Sequence, residues 1–411
     1  MRRSLSALIL PALIPVVLVA AIPAPAAPAH EPAASNFEGF LQELWVDAQA
    51  QGIARATFDT AFAGLAPDPR VIAATSRQPE YGKPAGDYVN SIASRGRIDA
   101  GMQQVRKWSD TFAAVEKKFG IARWVLLGLW GIETSYGADK DRWDVIRSLA
   151  TLAQARYRDP YFRNELLVAL RILQDGHVAR QKLVGSWAGA MGQPQFMPSN
   201  FYDYAVDFSG NGRPDIWTNV PDVLASMANY LRKEGWSPGL TWGFEVIVPT
   251  DFDYRRSRAS LQNWSELGLR RADGGAFPQA GDAILFFPSG AAGPAFLVTT
   301  NFSVIKRYND SDIYALAVLH LADRISGRAP IRAAWPADDR QLSRADASPC
   351  KESWPSSAMP YATSRRISIS TLETRFARSR RNSACDPTVT RLRPCWSASE
   401  QGEGAPLAAL N

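Results

Sequence analysis

From Phe37 to Phe62 apolar residues recur at helical spacing, with Phe37, Phe40, Leu41, Leu44 and Trp45 forming one stripe. The same period predicts helices near Tyr88–Ser94, Met102–Phe119, Arg123–Glu133, Val145–Arg156, Tyr161–Gln174 and Pro221–Glu234. The last of these has Pro221 at its first turn and Gly235 just past its end, the residues that suit a helix start and stop. Between Trp242 and Ile305 the period changes. Phe244-Glu-Val-Ile-Val248, Ala283-Ile-Leu-Phe-Phe287 and Phe296-Leu-Val-Thr-Thr300 are short β-like runs separated by glycine and proline. A helical pattern returns from Ser311 to Ile325. The expectation is a mainly α (α+β) body with a small β-containing part over 242–305 that packs back onto the helices.

The two ends break the pattern. Arg2 and Arg3 precede an apolar stretch from Leu5 to Ile22, and Ala24-Pro-Ala26 or Ala27-Pro-Ala29 offers a small-residue cleavage site. Residues 1–29 therefore read as a secretory signal peptide. Pro11, Pro15 and the short span argue against a permanent membrane helix, and no cysteine follows the run to carry a lipid. The expected location is the periplasm. From about residue 331, and clearly from Ala347 to Asn411, Ser, Arg and Pro dominate and no apolar period persists.

Composition narrows the function. With 46% hydrophobic residues in 411, the chain can bury a substantial core, and 13 tryptophans suit either that core or a sugar-binding cleft. The net charge of +6 belongs to the ends: residues 30–330 carry 32 Lys+Arg and 32 Asp+Glu. A neutral body offers no electrostatic footprint for nucleic acid. Cys350, Cys385 and Cys395 all lie in the tail, so the body needs no disulfide, and three histidines with three such cysteines do not make a zinc site.

One carboxylate stands out. Glu133 ends the apolar run Trp124–Ile132 and is followed at once by Thr-Ser-Tyr-Gly137. A carboxyl group delivered from the tip of a buried helix is poorly solvated, which disfavours its anion and lets it hold a proton, the requirement for a general acid. The same residue could equally cap the next turn or pair with an arginine. A second stretch, Gly185-Ser-Trp-Ala-Gly-Ala-Met-Gly-Gln-Pro-Gln-Phe-Met-Pro-Ser-Asn-Phe201, mixes small residues with amides and hydroxyls that can bind sugar hydroxyls, and Pro194 and Pro198 stiffen it. It also reads as a tight loop against the core. A third, Asp207-Phe-Ser-Gly-Asn-Gly-Arg-Pro-Asp215, places oxygen side chains at alternate positions with glycine sixth, like the first half of an EF-hand loop. Thr218 stands where that loop needs its bidentate glutamate.

Gly131-Ile-Glu-Thr-Ser-Tyr-Gly137, Ser186-Trp-Ala-Gly-Ala-Met-Gly, Gln195-Phe-Met-Pro-Ser199, Ala228-Asn-Tyr-Leu231 and Arg307-Tyr-Asn309 closely resemble, in order, the lytic murein transglycosylases of the B type. The resemblance runs from about Phe37 to Gly327. It implies a lysozyme-like helical catalytic domain over 30–330, with a small β-containing subdomain and a groove for a peptidoglycan strand. It also implies cleavage of the β-1,4 bond between N-acetylmuramic acid and N-acetylglucosamine to leave a 1,6-anhydromuramyl end. Glu133 would be the only acid/base. Ser186 and Asn309 match positions that contact the acetamido group. Gln195, Tyr230, Tyr308 and Tyr314 match groove positions, as does Tyr88 in a looser stretch. In the family the loop at 207–222 is EF-hand-like and completed by a later aspartate, so Asp207, Ser209, Asn211, Arg213 and Asp222 would be the metal-binding residues. Asn211 replaces the usual aspartate, leaving two readings: a metal-free structural loop, or a weak structural calcium (or sodium) site. No other cofactor is expected. Glycan strands are the expected partner. Cell-wall synthases are compatible with the family, but no residue points to them. Lysozyme-type hydrolysis and non-catalytic peptidoglycan binding are the rival functions. Residues 331–411 are expected to be a linker and an irregular tail, which from about Ala347 reads either as disordered or as a frameshifted peptidoglycan-binding module, a module relatives often carry there.

Overall fold

The structure, a computed structural model, describes residues 33–75, 83–139 and 143–337. The proposed signal peptide and the tail beyond 337 lie outside them. Seven helices come first: α1 (Ala33–Ala50), α2 (Arg55–Phe62), α3 (Pro69–Ala74), α4 (Ala85–Ile92), α5 (Arg95–Lys107), α6 (Ser109–Phe119) and α7 (Arg123–Thr134). The two-residue strands β1 (Trp143–Asp144) and β2 (Val184–Gly185) pair antiparallel and enclose α8 (Val145–Gln154) and α9 (Tyr161–Gln174). Then come α10 (Pro198–Tyr204) and α11 (Val220–Lys233).

The β part follows with β3 (Gly243–Ile247), β4 (Arg258–Ser260), α12 (Leu261–Glu266), β5 (Arg270–Arg271), β6 (Asp282–Phe286) and β7 (Ala295–Val298). Two helices, α13 (Thr300–Tyr308) and α14 (Asp312–Ile325), return the chain to the body. The sheet is antiparallel throughout, in the order β4-β6-β7-β3-β5. One of its faces buries Val246, Leu285 and Leu297 with Trp264 in a small core of its own. Phe296 and Val298 instead join the main core, and the Trp242 indole donates to Asp323 on α14 at 3.1 Å. The sheet is thereby fastened to the helices.

Helix α7 is apolar all round because it is enclosed: every residue from Val125 to Gly131 is buried, with α14, α5, α6 and α11 against it. Gly128 sets how near α14 comes, since a Cβ there would lie 2.4 Å from the Val318 carbonyl oxygen. Five residues further along α7 is Glu133, and four residues back along α14 is Tyr314. One close glycine contact therefore sets the separation of that pair.

Several element boundaries differ from the expectation. The stripe from Phe37 to Phe62 spans two helices, turned at Gly52 in the left-handed region (φ 78°). The segment Met102–Phe119 is also two helices, parted at Trp108 (φ −116°, ψ 27°). The apolar positions 98, 101, 105, 108, 112, 115 and 119 keep helical spacing across that break, which is why the pattern alone reads as one helix. The β part ends at Val298 rather than 305, because the Thr299 side chain accepts from the Asn301 N–H and starts α13. Residues 331–337, expected to be linker, are docked on the body: Ile331 and Trp335 pack against the main core.

Candidate active site

Glu133 is half-buried, one residue before the end of α7. Beyond it Ser135, Tyr136 and Gly137 all take left-handed backbone angles (φ 47°, 63° and 77°), so the chain reverses tightly there. The turn is held by the Tyr136 N–H, which donates to the Trp130 carbonyl at 3.1 Å, and by the Tyr136 hydroxyl, which donates to the Arg97 carbonyl at 2.9 Å. Gly137 is needed twice over. Its φ disfavours a side chain, and a Cβ would lie 2.5 Å from the Gln193 amide oxygen.

Tyr314 meets Glu133 directly, its hydroxyl donating to a carboxylate oxygen. Ser311 fixes the start of α14, its hydroxyl accepting from the Tyr314 N–H at 3.2 Å. Burial first, then the charge of Glu133, push the Tyr314 hydroxyl well above the usual phenol range. The same causes in the same order act on Tyr308, whose hydroxyl donates to the Pro194 carbonyl. Tyr308 packs on Tyr230 with ring centroids 4.7 Å apart, and Tyr230 on Tyr204 at 4.4 Å. Tyr230 is 5% exposed, and its hydroxyl donates to the Arg307 carbonyl at 2.6 Å, so its place is in the floor beneath Tyr308. Tyr88, on α4, is close enough to Tyr314 to act on it electrostatically.

The loop from Gly185 onward is tied to the tip of α7 through residue 193 and to Tyr308 through the Pro194 carbonyl. The Ser186 N–H donates to the Ala190 carbonyl at 2.9 Å, and the Ala190 N–H to the Ser186 hydroxyl at 3.1 Å. This turn needs Gly185, where a Cβ would lie 1.9 Å from the Ala190 carbonyl oxygen. Gln195 is left-handed (φ 51°), and its amide donates to the Gly192 carbonyl at 2.9 Å. Asn309 is half-buried and extended, directly after Tyr308 at the end of α13. Glu133, Tyr314, Tyr308, Tyr230 and Tyr88 are thus linked through contacts or mutual charge. Ser186 and Gln195 stand on the adjoining loop, and Asn309 at the end of α13.

Two residues absent from the motif reading hold this arrangement. Gln193 accepts from the Trp130 indole at 2.9 Å and donates to the Trp217 carbonyl at 2.9 Å, while its own carbonyl accepts from the Thr134 hydroxyl at 3.0 Å. It stitches the tip of α7 to the loop and to the 207–222 segment. Glu165, 4% exposed on α9, accepts from the Ser199 N–H at 2.9 Å and the Ser199 hydroxyl at 2.7 Å, anchoring the far end of the loop. Burial raises its pKa even against those two bonds. No spacing signal marks Gln193. Glu165 could have been noticed as a charge on the apolar stripe of α9, beside Leu166 and Phe162.

The segment 207–222 closes on itself. Asp207 accepts from the N–H groups of Gly210, Asn211 and Gly212 at 2.8–3.1 Å. Asp222, wholly buried, accepts from Phe208, Ser209 and Asp215 at 2.9–3.0 Å. Asn211 accepts from the Arg213 N–H at 3.3 Å. The donors are all oxygen, the kind a hard cation takes, with Asp207, Ser209, Asn211 and the Arg213 main chain in sequence along the exposed side. They fit such an ion in kind but with little charge, because both Asp222 oxygens already serve main-chain donors. Among the described residues, no group of three or more His, Cys, Asp or Glu side chains is placed to hold a metal.

Sequence and structure comparisons agree on where the likeness lies. The profile of the transglycosylase SLT domain matches residues 36–323. Membrane-bound lytic murein transglycosylase B of Escherichia coli (strain K12) is 30% identical over 246 residues, which cover 58% of this chain and 66% of that protein. The match therefore spans just under two thirds of that relative's length. SltB3 from Pseudomonas aeruginosa, solved in complex with NAG-anhNAM-pentapeptide, superposes with a TM-score of 0.73 at 42% identity, covering 76% of this chain and 85% of that one. The Escherichia coli lytic transglycosylase SLT35, solved in complex with calcium, gives 0.60 at 25% identity, over 71% and 92% of the two chains.

Proposed function

Since the chain belongs to the transglycosylase SLT family, we propose that it is a lytic transglycosylase of peptidoglycan with Glu133 as its single acid/base. The observation that carries this is the Glu133–Tyr314 contact at the tip of a buried helix, with the floor tyrosines and the Gly185–Phe201 loop around it. A relative at 42% identity that binds a NAG-anhNAM-pentapeptide supports the substrate class.

In the proposed step Glu133 gives its proton to the oxygen of the β-1,4 bond as the bond from C1 of N-acetylmuramic acid breaks, freeing N-acetylglucosamine as an alcohol. The muramyl acetamido group stabilises the cationic C1. The C6 hydroxyl of the same sugar then adds to C1 and returns its proton to Glu133, giving the 1,6-anhydro end with no water consumed. Because the attack is intramolecular it outruns hydrolysis. Tyr314 orients the acid, Tyr308 braces the neighbouring loop through the Pro194 carbonyl, Ser186 and Asn309 serve the acetamido group, and Gln195 and Tyr88 line the glycan path above the floor residue Tyr230. The 207–222 loop is a structural element with weak affinity for calcium. Among the described residues no helix is long and apolar enough to cross a membrane. The N-terminal signal pattern and the likeness to an envelope transglycosylase support a periplasmic protein acting on glycan strands.

Mass spectrometry of purified murein digested by the protein tests the reaction. Anhydromuramyl products are expected. Reducing muramyl ends would instead identify a hydrolase. Glu133→Gln is expected to abolish lysis while strands still bind, and unchanged lysis by that variant would remove Glu133 from the chemistry.

A further inference from the structure

The ten residues after α14 bridge three separate parts of the fold. The Arg328 N–H donates to the Asp323 carbonyl at 2.9 Å and its guanidinium to the Asp323 carboxylate at 3.1 Å, turning the chain off the end of α14. The Arg332 and Ala333 N–H groups donate to the Glu245 carboxylate on β3 at 2.8–3.0 Å, and the Arg332 guanidinium to the Ala272 carbonyl beside β5 at 3.0 Å. Two residues later the Trp335 indole lies on α4. A Cβ added to Gly86 would fall 2.5 Å from its Cγ, so the ring rests against bare backbone.

Helix α4 has only eight residues and packs chiefly on α14. Gly86 and Tyr88 are two positions apart, hence about 200° around the helix axis. Trp335 therefore presses one side of α4 while Tyr88 leaves from nearly the opposite side, close to Tyr314. Resting on the glycan-cleaving role proposed above, we infer that Trp335 is a positioning residue: wedged against Gly86, it sets the depth at which α4 presents Tyr88 to a bound strand. The segment 328–337 is then part of the binding groove's support, although it follows the last helix and touches no reacting group.

The full chain with Trp335→Ala, Trp335→Phe and Gly86→Ala, assayed on purified murein, tests this. Trp335→Ala should raise KM about five- to tenfold with kcat within about twofold, because a displaced Tyr88 weakens strand binding in ground and transition state alike. Trp335→Phe keeps a flat ring on Gly86 and should recover most of the loss, and Gly86→Ala, which pushes the indole away, should reproduce it. In a Glu133→Gln background the strand Kd should show the same pattern, and Trp335→Ala should add little once Tyr88 is Ala. Independent, multiplicative effects of the Trp335 and Tyr88 substitutions would overturn the inference. So would a lower Tm with KM unchanged, or a fall in kcat alone. Failure of the proposed function would show separately, as a wild-type digest without anhydromuramyl ends.

Discussion

Gln193→Ala is the sharpest probe of how the site is held. Trp130 is 1% exposed, and its indole N–H has Gln193 as the acceptor seen in the structure. Removing that acceptor leaves a buried donor unsatisfied, at a cost of about 1–3 kcal/mol. The Trp217 carbonyl loses its donor as well, for about 1 kcal/mol more. The Thr134 bond goes to the main chain of residue 193 and survives the substitution. The expected loss is about 2–4 kcal/mol in chemical denaturation, with kcat/KM down about ten- to a hundredfold, because the tip carrying Glu133 is freed by a fraction of an ångström. Gln193→Met separates hydrogen bonding from packing, since it fills nearly the same volume without either polar atom. If Gln193→Met matches the wild type in stability and rate, the amide bonds do nothing and the reasoning fails.

Two further outcomes follow from groups outside the reaction. Burial first, then Arg324, hold His320 on α14 down at about 4, against the ordinary 6.5. The unfolded chain therefore takes up a proton below pH 6.5 that the folded one refuses, and about 3 kcal/mol of stability should be lost between pH 6.5 and 4. His320→Phe should be flatter over that window in acid denaturation, and parallel curves for the two proteins would refute the assignment. In the 207–222 loop, calcium at about ten times a millimolar Kd should stabilise by only about 1.4 kcal/mol. Asp222→Ala should cost about 3 kcal/mol with or without calcium, since three part-buried N–H groups lose their acceptor at once. A calcium-induced gain above about 4 kcal/mol would mean a tight site that the oxygen set does not explain.

What the sequence revealed and what it hid have a common physical cause. Tyr161–Gln174 was readable to the residue because one strong stripe, Phe162, Leu166, Leu170, decides it within a single element. Glu133 stands out in the sequence because a charge closing an apolar run is a local anomaly. The break at Trp108 does not, since the stripe runs straight through it and the backbone angle that ends α5 leaves no composition signal. Gln193 carries no local signal because its three partners lie 24 to 63 residues away. The docking of Trp335 was hidden for the same reason, its contact being Gly86.

Tyr308 and Tyr314 also constrain where a proton held by Glu133 would sit. Burial and the neighbouring carboxylate hold both Tyr308 and Tyr314 well above the usual phenol range, so they stay neutral donors at any pH the protein meets. A neutral phenol has one proton to give, and Tyr314 gives it to one oxygen of Glu133. That oxygen is thereby kept as an acceptor in both protonation states, and a proton bound by Glu133 is directed to the other. With one oxygen held by Tyr314, the Glu133 carboxyl is restricted in its rotamers. In the proposed reaction, the oxygen that gives its proton to the leaving sugar would be the one left free to recover it from the C6 hydroxyl, so that one carboxylate could serve both halves. Tyr314→Phe would then impair both halves together, by releasing the pair of oxygens to exchange places.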